Sequence, residues 1–443
     1  MKQFFPVLFA FALCASAQIG NIITVNVEND AVTRFLQEVT YTSSEDSSQV
    51  AAYNVAPPER RDIPQPAVIA IPDNDADSLL LTYAENADFS EGVHTKVIAK
   101  GTNEYELYNL IPQRVYYYMI EADGECVASG KIHTKGQVRM IYVPGANNIR
   151  DLGGWPTTDG RRIKYGKLFR GSELNGNHSV DSASLAILTE DLEIQAEIDM
   201  RATYNVGNGE SAFGFKSNMW GNSSYPPYYY TRNSGQIPDH LQNKTYKLKW
   251  KREFDFIIQN FVKERNVYFH CVSGADRTGY FSLLLEGLLG VDYENMIKDY
   301  ELTYFYNSYN KKEIIDTLYN YIMTLEGDTQ QEKFNSFLVD SCNVAQANVD
   351  YFRRMMLEEY DLTDADADVN LDGAVDVADI GCIIDVMTGV GADPVSARNA
   401  DVNLDGAVDV ADIGSVIDVM ATTARKIRDK TEYQEVTPYE EEN

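Results

Sequence analysis

The ten residues His270-Cys271-Val272-Ser273-Gly274-Ala275-Asp276-Arg277-Thr278-Gly279 constrain this chain more than any other stretch. They lie between an apolar, strand-like run, Asn266 to Phe269, and a run with helical periodicity, Tyr280 to Leu289. A strand that delivers a cysteine into a short loop, followed at once by a helix, leaves the loop few options. Its backbone N–H groups curl inward, and the positive end of the helix dipole opens on the same point. The backbone of Val272, Ser273, Gly274 and Ala275 would then form a nest for a dianionic phosphate. The same field favours the thiolate of Cys271 as a nucleophile. Arg277 presents a planar fork that grips two phosphate oxygens at once, which a lysine cannot do. An isolated cysteine is usually a small buried hydrophobe, and a bare Cys-x5-Arg recurs by chance. The histidine before, the glycine within and Thr-Gly after favour the nucleophile reading. His270 is read as orienting the loop and tuning the thiol rather than as a base, and Thr278 as donating its hydroxyl to the sulfur.

A second segment supports this reading. Residues 147–154 are Asn-Asn-Ile-Arg-Asp-Leu-Gly-Gly, followed by Trp155-Pro156, Asp159-Gly160 and Leu168-Phe169-Arg170-Gly171-Ser172. Together with the cysteine loop, and in that order, this resembles the atypical bacterial tyrosine phosphatases of the tyrosine and serine phosphatase family. The resemblance spans about residues 138–358. It implies a parallel sheet wrapped by helices, and hydrolysis of phosphomonoesters through a phosphocysteine intermediate, with no cofactor for catalysis. It also implies that Asp276, just before Arg277, protonates the leaving group. Asp199, at the end of a strand-like run from Ile194, competes for that role. It is equally a structural partner for Arg150 or Arg170, and that reading is preferred. Asn148, Arg150 and Asp151 are expected to brace the nucleophile loop. Ala275 departs from the family pattern, because members that accept phosphoinositides often carry Lys there. The change favours phosphorylated protein or small phosphoesters as substrates. An inositol-polyphosphate or phosphoinositide phosphatase is the alternative enzyme. A non-catalytic scaffold or adhesion component is the alternative outside enzymes, and intact Cys271 and Arg277 argue against it.

The chain has 443 residues and a net charge of −29, which suggests several domains and argues against nucleic acid or an anionic membrane surface as partner. Residues 1–17 read as a signal peptide, with Lys2, an apolar run from Phe4 to Leu13, and Ala15-Ser16-Ala17 before Gln18. Leu13 before Cys14 favours cleavage over lipid anchoring. No later run reaches membrane-spanning length. The expected location is secreted, extracellular or cell-surface, with the periplasm as the other exported destination. Cys126, Cys271, Cys342 and Cys382 lack the paired spacing of a disulfide scaffold or a zinc site.

Residues 18–65 form an N-terminal segment of no clear class, although Ile22 to Val27 is strand-like. Residues 66–136 show short β-prone runs split by polar turns, which suits a β-sandwich. Within them Leu110-x-Pro112-x3-Tyr116 resembles the tyrosine corner of fibronectin type III domains. Residues 137–358 would be the phosphatase domain, with Ser211 to His240 as an ordered insertion or lid.

A 14-residue sequence then occurs twice without change, at 368–381 and 401–414. Each copy sets oxygens at the loop positions of an EF-hand, with glycine at the sharp turn. The ligands would be Asp368, Asn370, Asp372, the Ala374 carbonyl, Asp376 and Asp379 in one copy. In the other they would be Asp401, Asn403, Asp405, the Ala407 carbonyl, Asp409 and Asp412. The pair resembles a type I dockerin over 362–422, which implies two Ca²⁺ sites and a cohesin-type partner, and the acidic tail 423–443 follows. The expected whole is multidomain: a β-sandwich, then an α/β Cys-dependent phosphatase fold, then a small α-helical dockerin with paired calcium loops.

Overall fold

From Ala67 to Lys135 apolar side chains tend to alternate with polar ones, and this stretch folds as strands. The computed structural model describes residues 22–53, 62–201, 211–215, 228–230, 243–308, 312–358, 369, 377–389, 400, 402 and 408–420. The first strands are β1 (Ile22–Asn26), β2 (Ala67–Ala70), β3 (Ser78–Ala84), β4 (His94–Ala99), β5 (Glu104–Leu107), β6 (Val115–Ala122) and β7 (Glu125–Lys135). One sheet has the order β1-β7-β6-β3-β4, antiparallel except for β1, which runs parallel to β7. Strands β2 and β5 form a second, antiparallel pair. Ile69, Leu81, Leu107, Tyr118 and Ile132, drawn from both sheets, share one core. The Tyr116 hydroxyl accepts a hydrogen bond from the Ile111 amide at 3.0 Å and so closes a corner of this structure.

The stretch 18–65, which the sequence presents as one segment, is divided between two cores. Strand β1 extends the first sheet, whereas helix α1 (Asp30–Glu38) packs on the core that also holds Leu168, Phe269 and Phe305. Asn29 caps α1 by accepting from the Val32 amide at 3.0 Å. Val32 and Phe35 are buried, and Phe35 meets Phe305 edge-on at 5.8 Å. Lys298 Nζ donates to the Leu36 carbonyl at 2.9 Å.

A third sheet, which carries the cysteine loop and is called the catalytic sheet below, comprises β8 (Arg150–Asp151), β9 (Leu168–Gly171), β10 (Ile194–Asp199), β11 (Tyr228–Tyr230) and β12 (Asn266–His270). Its order is β11-β10-β12-β9-β8, parallel except for β8. The helices are α2 (Ser182–Ala186), α3 (Lys244–Phe261), α4 (Asp276–Leu289), α5 (Tyr293–Glu301), α6 (Tyr304–Asn307), α7 (Lys312–Met323), α8 (Gln330–Ser336) and α9 (Gln346–Met356). Every residue of β12 is buried, as a central parallel strand covered on both faces requires. Val267 and Phe269 lie in the core with Phe254, Phe281 and Phe352 of α3, α4 and α9. Tyr268, pointing the other way, lies with Ile149, Phe169 and Leu188. Each such side chain contributes roughly 1.5–3 kcal/mol by its burial. Strand β12 is thereby fixed, and with it the loop that follows.

Two further helices, α10 (Val377–Thr388) and α11 (Val410–Met420), share a small core of Val369, Ile383, Ala400, Val402 and Val416. The signal-peptide reading, the acidic tail and most of the 211–240 insertion lie outside the described residues. So do Asp368, Asn370, Asp372, Ala374, Asp376, Asp401, Asn403, Asp405 and Ala407. Among the described residues no helix is long and apolar enough to cross a membrane.

Candidate active site

The nucleophile loop joins β12 to α4, and its carbonyls are held from outside. The Cys271 carbonyl accepts from His270 Nδ1 at 3.0 Å, and the Val272 carbonyl from the Glu173 amide at 3.0 Å. The Ser273 carbonyl accepts from Asn148 Nδ2 at 3.0 Å, and the Gly274 carbonyl from Arg170 Nη2 at 3.1 Å. In a trans peptide the C=O of one residue and the N–H of the next point in opposite directions. The amides of 272–275 are therefore turned away from these supports, toward the inside of the loop. Gly274 has φ +67°, and a Cβ there would lie 2.4 Å from the Gly171 carbonyl oxygen, so glycine alone fits. Ala275 at the start of α4 provides no side-chain cap, which leaves the first-turn amides available to an anion.

Cys271 is buried beneath this nest. Burial alone would push its thiol up, but the Arg277 charge and the hydroxyl and amide of Thr278 outweigh it and hold the thiol below its ordinary value. Thr278 Oγ1 has no hydrogen-bond partner among the described residues, and its hydroxyl favours the charged form of the Cys271 sulfur. Arg277 Nη1 donates to the Met200 carbonyl at 2.8 Å, anchoring one side of the guanidinium at the end of β10. His270 Nε2 donates to Glu197 Oε1 at 2.9 Å. Burial opposes a charge on His270, yet Asp199 and Glu197 prevail and raise its pKa. When protonated it donates from both nitrogens, to the Cys271 carbonyl and to Glu197, and then has no lone pair with which to act as a base. Asp276 is the first residue of α4 and is half-buried.

Around the loop lies a set of buried ions. Arg150 Nε donates to Asp299 Oδ1 at 2.8 Å, and Arg170 Nη1 donates to Asp299 Oδ2. Arg150 Nη1 also donates to Asn148 Oδ1 at 2.6 Å. Burial and the neighbouring Arg150 lower the Arg170 pKa to about 10. Burial pushes Asp299 up, but the two arginines outweigh it and keep it ionised. Burial together with the Asp299 charge raises the pKa of Glu286 well above the carboxylate range. Protonated Glu286 can then donate to Asp299. Asp151 lies in the turn instead, where it accepts from the Gly153 amide at 2.9 Å and the Gly166 amide at 2.7 Å.

Asp199 does not pair with Arg150 or Arg170. It is buried against Arg201, whose Nη2 donates to Oδ2 at 2.7 Å and whose Nε donates to Oδ1 at 2.9 Å. Burial opposes the charge, but His270 and Arg201 hold its carboxyl below the usual range. Sequence reasoning did not single out Glu173, Glu197, Arg201, Glu286 or Asp299. Glu286 and Asp299 were discoverable only as carboxylates on the buried faces of α4 and α5. Asp379 and Asp412, at the last loop position of each repeat, are buried in the first turns of α10 and α11.

A family model described as the tyrosine phosphatase family matches residues 141–366, just over half of the chain. A curated protein of Cupriavidus necator, named "Putative tyrosine-protein phosphatase", is 27% identical over 165 residues, covering 35% of this chain and 59% of that protein. The chain thus spans about three fifths of the length of the curated relative it matches. With the strand–loop–helix geometry at Cys271 and a match of that extent, the chain belongs to the tyrosine phosphatase family.

Proposed function

We propose that this chain is an exported Cys-dependent phosphomonoester hydrolase of the protein tyrosine phosphatase type. The observation that carries the reading is the loop in which four consecutive carbonyls are tied outward around a thiol biased toward thiolate. The Cys271 thiolate attacks phosphorus in line, and the bond from phosphorus to the leaving oxygen breaks. Arg277 and the amides of 272–277 stabilise the equatorial oxygens. Asp276 gives its proton to the leaving oxygen. Water then attacks the phosphocysteine, releasing phosphate and regenerating the thiolate, with its proton returned to Asp276. The pairing of Asp199 with Arg201 supports Asp276 as the acid. Asn148 and Arg170 hold the loop, and Thr278 eases departure of the sulfur.

Residues 66–136, with β1 added to their larger sheet, are read as a fibronectin type III-like sandwich that spaces the catalytic domain, a reading supported by the Tyr116 corner. The duplicated loops are read as a dockerin. Their donors are oxygens only, which suits Ca²⁺ as a hard cation, and the buried carboxylates Asp379 and Asp412 suit the final ligand position. Calcium would order the module that engages a cohesin-type partner outside the cell.

The test is turnover by purified protein of an aryl phosphate, phosphotyrosine and phosphoserine peptides, and inositol polyphosphates, with Cys271→Ser alongside. We expect the phosphotyrosine peptide to be preferred and Cys271→Ser to fall to background while still binding vanadate. Turnover surviving in Cys271→Ser would remove the thiolate from the mechanism. Preference for inositol polyphosphates would replace the substrate class.

A further inference from the structure

A cleft of about 790 Å³ lies between the first sheet and the catalytic sheet. It reaches Asn266, the first residue of β12, whereas Cys271 follows the last. At about 3.3 Å per residue, that strand puts the two sites roughly 16 Å apart, at opposite ends of the sheet. The cleft is therefore separate from the phosphate nest.

Its walls are aromatic. Tyr108 and Tyr142 pack together with ring centres 4.9 Å apart and planes tilted by 53°, and Tyr83 stacks on His94 at 5.0 Å. Tyr83 lines the cleft and is only 6% exposed, and its hydroxyl has no hydrogen-bond partner among the described residues. Burial pushes that hydroxyl's pKa up, so it stays neutral, and burial likewise lowers His94 toward the neutral imidazole. Carboxylates surround the aromatic walls, chiefly Glu106, Glu190, Asp191 and Glu193 with Glu85 and Glu91. Among the described residues the lining cations are Lys96 and Arg139, and both are engaged. Lys96 pairs with Asp191 at 2.5 Å, and Arg139 Nε donates to the Asn109 carbonyl at 3.0 Å. A π-helical turn, Ile187–Asp191, presents Glu190 and Asp191.

We propose that this cleft binds a peptide segment of another protein through an arginine or lysine side chain. The electron-rich faces of Tyr108 and Tyr142 attract a cation, and the apolar stem of a long basic side chain packs on the same rings. Glu190 and Glu193 pair with its charged head, and the Tyr83 hydroxyl finds the polar partner it lacks. Acidic peptides and phosphate groups are repelled by the same lining. The proposal stands independently of whether Cys271 hydrolyses phosphate.

The test is fluorescence anisotropy with the full chain and three labelled octapeptides of equal length: Arg/Lys-rich, neutral and Asp/Glu-rich. Glu190→Gln/Glu193→Gln is compared with the equally charge-changed control Asp73→Asn/Glu326→Gln, both off the cleft. We expect saturable binding of the basic peptide alone. The cleft variant should weaken it about tenfold, the size of two partly screened charge pairs, and Tyr83→Phe a few-fold. The control should bind as the parent does, and aryl phosphate turnover should be unchanged throughout. Absent or non-saturable binding, tighter binding of the neutral peptide, or equal weakening in the control would overturn the proposal. The last outcome would reduce it to general attraction by an acidic chain.

Discussion

Arg170 donates from Nη2 to the Gly274 carbonyl at 3.1 Å while the same guanidinium is held from behind by Asp299. The curvature of the nucleophile loop is thus tied to a fully buried ion cluster of Arg150, Arg170 and, on α5, Asp299. Arg150, held by the same carboxylate, passes the constraint through Asn148 to the Ser273 carbonyl. Two successive loop carbonyls depend on Asp299, a residue that acts on them only through the arginines.

Asp299→Asn should therefore weaken both fold and catalysis. It leaves two buried guanidinium groups under-neutralised, at a cost of about 3–5 kcal/mol. Urea unfolding measures that cost. In the fraction that remains folded, kcat for an aryl phosphate should fall more than KM rises, because the amides lose alignment with the transition state. An unchanged kcat would mean that the cluster supports the fold without positioning the loop.

Glu286 carries a pH signature. Its pKa in the folded chain lies above that of an ordinary carboxyl, because of burial and the Asp299 charge. Such an acid contributes stability below the ordinary carboxyl range and loses it as pH rises toward the raised value. Glu286→Gln keeps a donor for Asp299 and cannot ionise. Relative to the parent, the variant should be more stable at pH 8 than at pH 5 by about 1 kcal/mol or more, since a folded-state pKa one pH unit above the unfolded one corresponds to about 1.4 kcal/mol. Thermal unfolding at both pH values checks this. A parent–variant difference independent of pH would show that Glu286 does not titrate.

Much of this arrangement was legible in local sequence. The Asn148 brace, the all-apolar central run of β12 and the Tyr116 corner follow from local motifs. The partner of Asp199 did not, because sheet order decides it. Asp199 is in register with His270 on β12, and β9 and β8 lie beyond β12. Arg170 and Arg150 are therefore strands away, and Asp299 already takes both. The crossing of α1 onto the catalytic core was equally hidden. Its apolar stripe of Val32 and Phe35 suits any core, and only the chain path selects which one.

The two candidate acids separate by leaving group. Asp276→Asn should slow alkyl and unactivated phenyl phosphates much more than p-nitrophenyl phosphate, since only poor leaving groups need the proton. Asp199→Asn should lower stability by leaving buried Arg201 under-neutralised, with losses that do not track leaving-group pKa. A leaving-group dependence in Asp199→Asn and none in Asp276→Asn would reverse the assignment.

The repeated loops should make order at the C-terminal module depend on calcium. The described core there is small, and Asp379 and Asp412 are buried beside it. Each 14-residue copy also brings Asp residues at four loop positions into one turn of chain, and their repulsion opposes folding until a divalent cation neutralises it. Titration calorimetry on the full chain should find two Ca²⁺ ions bound. Hydrogen exchange should show amides of α10 and α11 losing protection on chelation while those of β12 and α4 keep theirs. Fewer than two ions, or protection of α10 and α11 unaffected by chelator, would remove the paired-loop reading. Aryl phosphate turnover should survive chelation, because the proposed Cys271 mechanism uses a thiolate, an arginine and backbone amides, all carried by the sheet of β8 to β12 and its helices. Loss of turnover with intact exchange protection at α4 would instead show that calcium acts on the catalytic step itself.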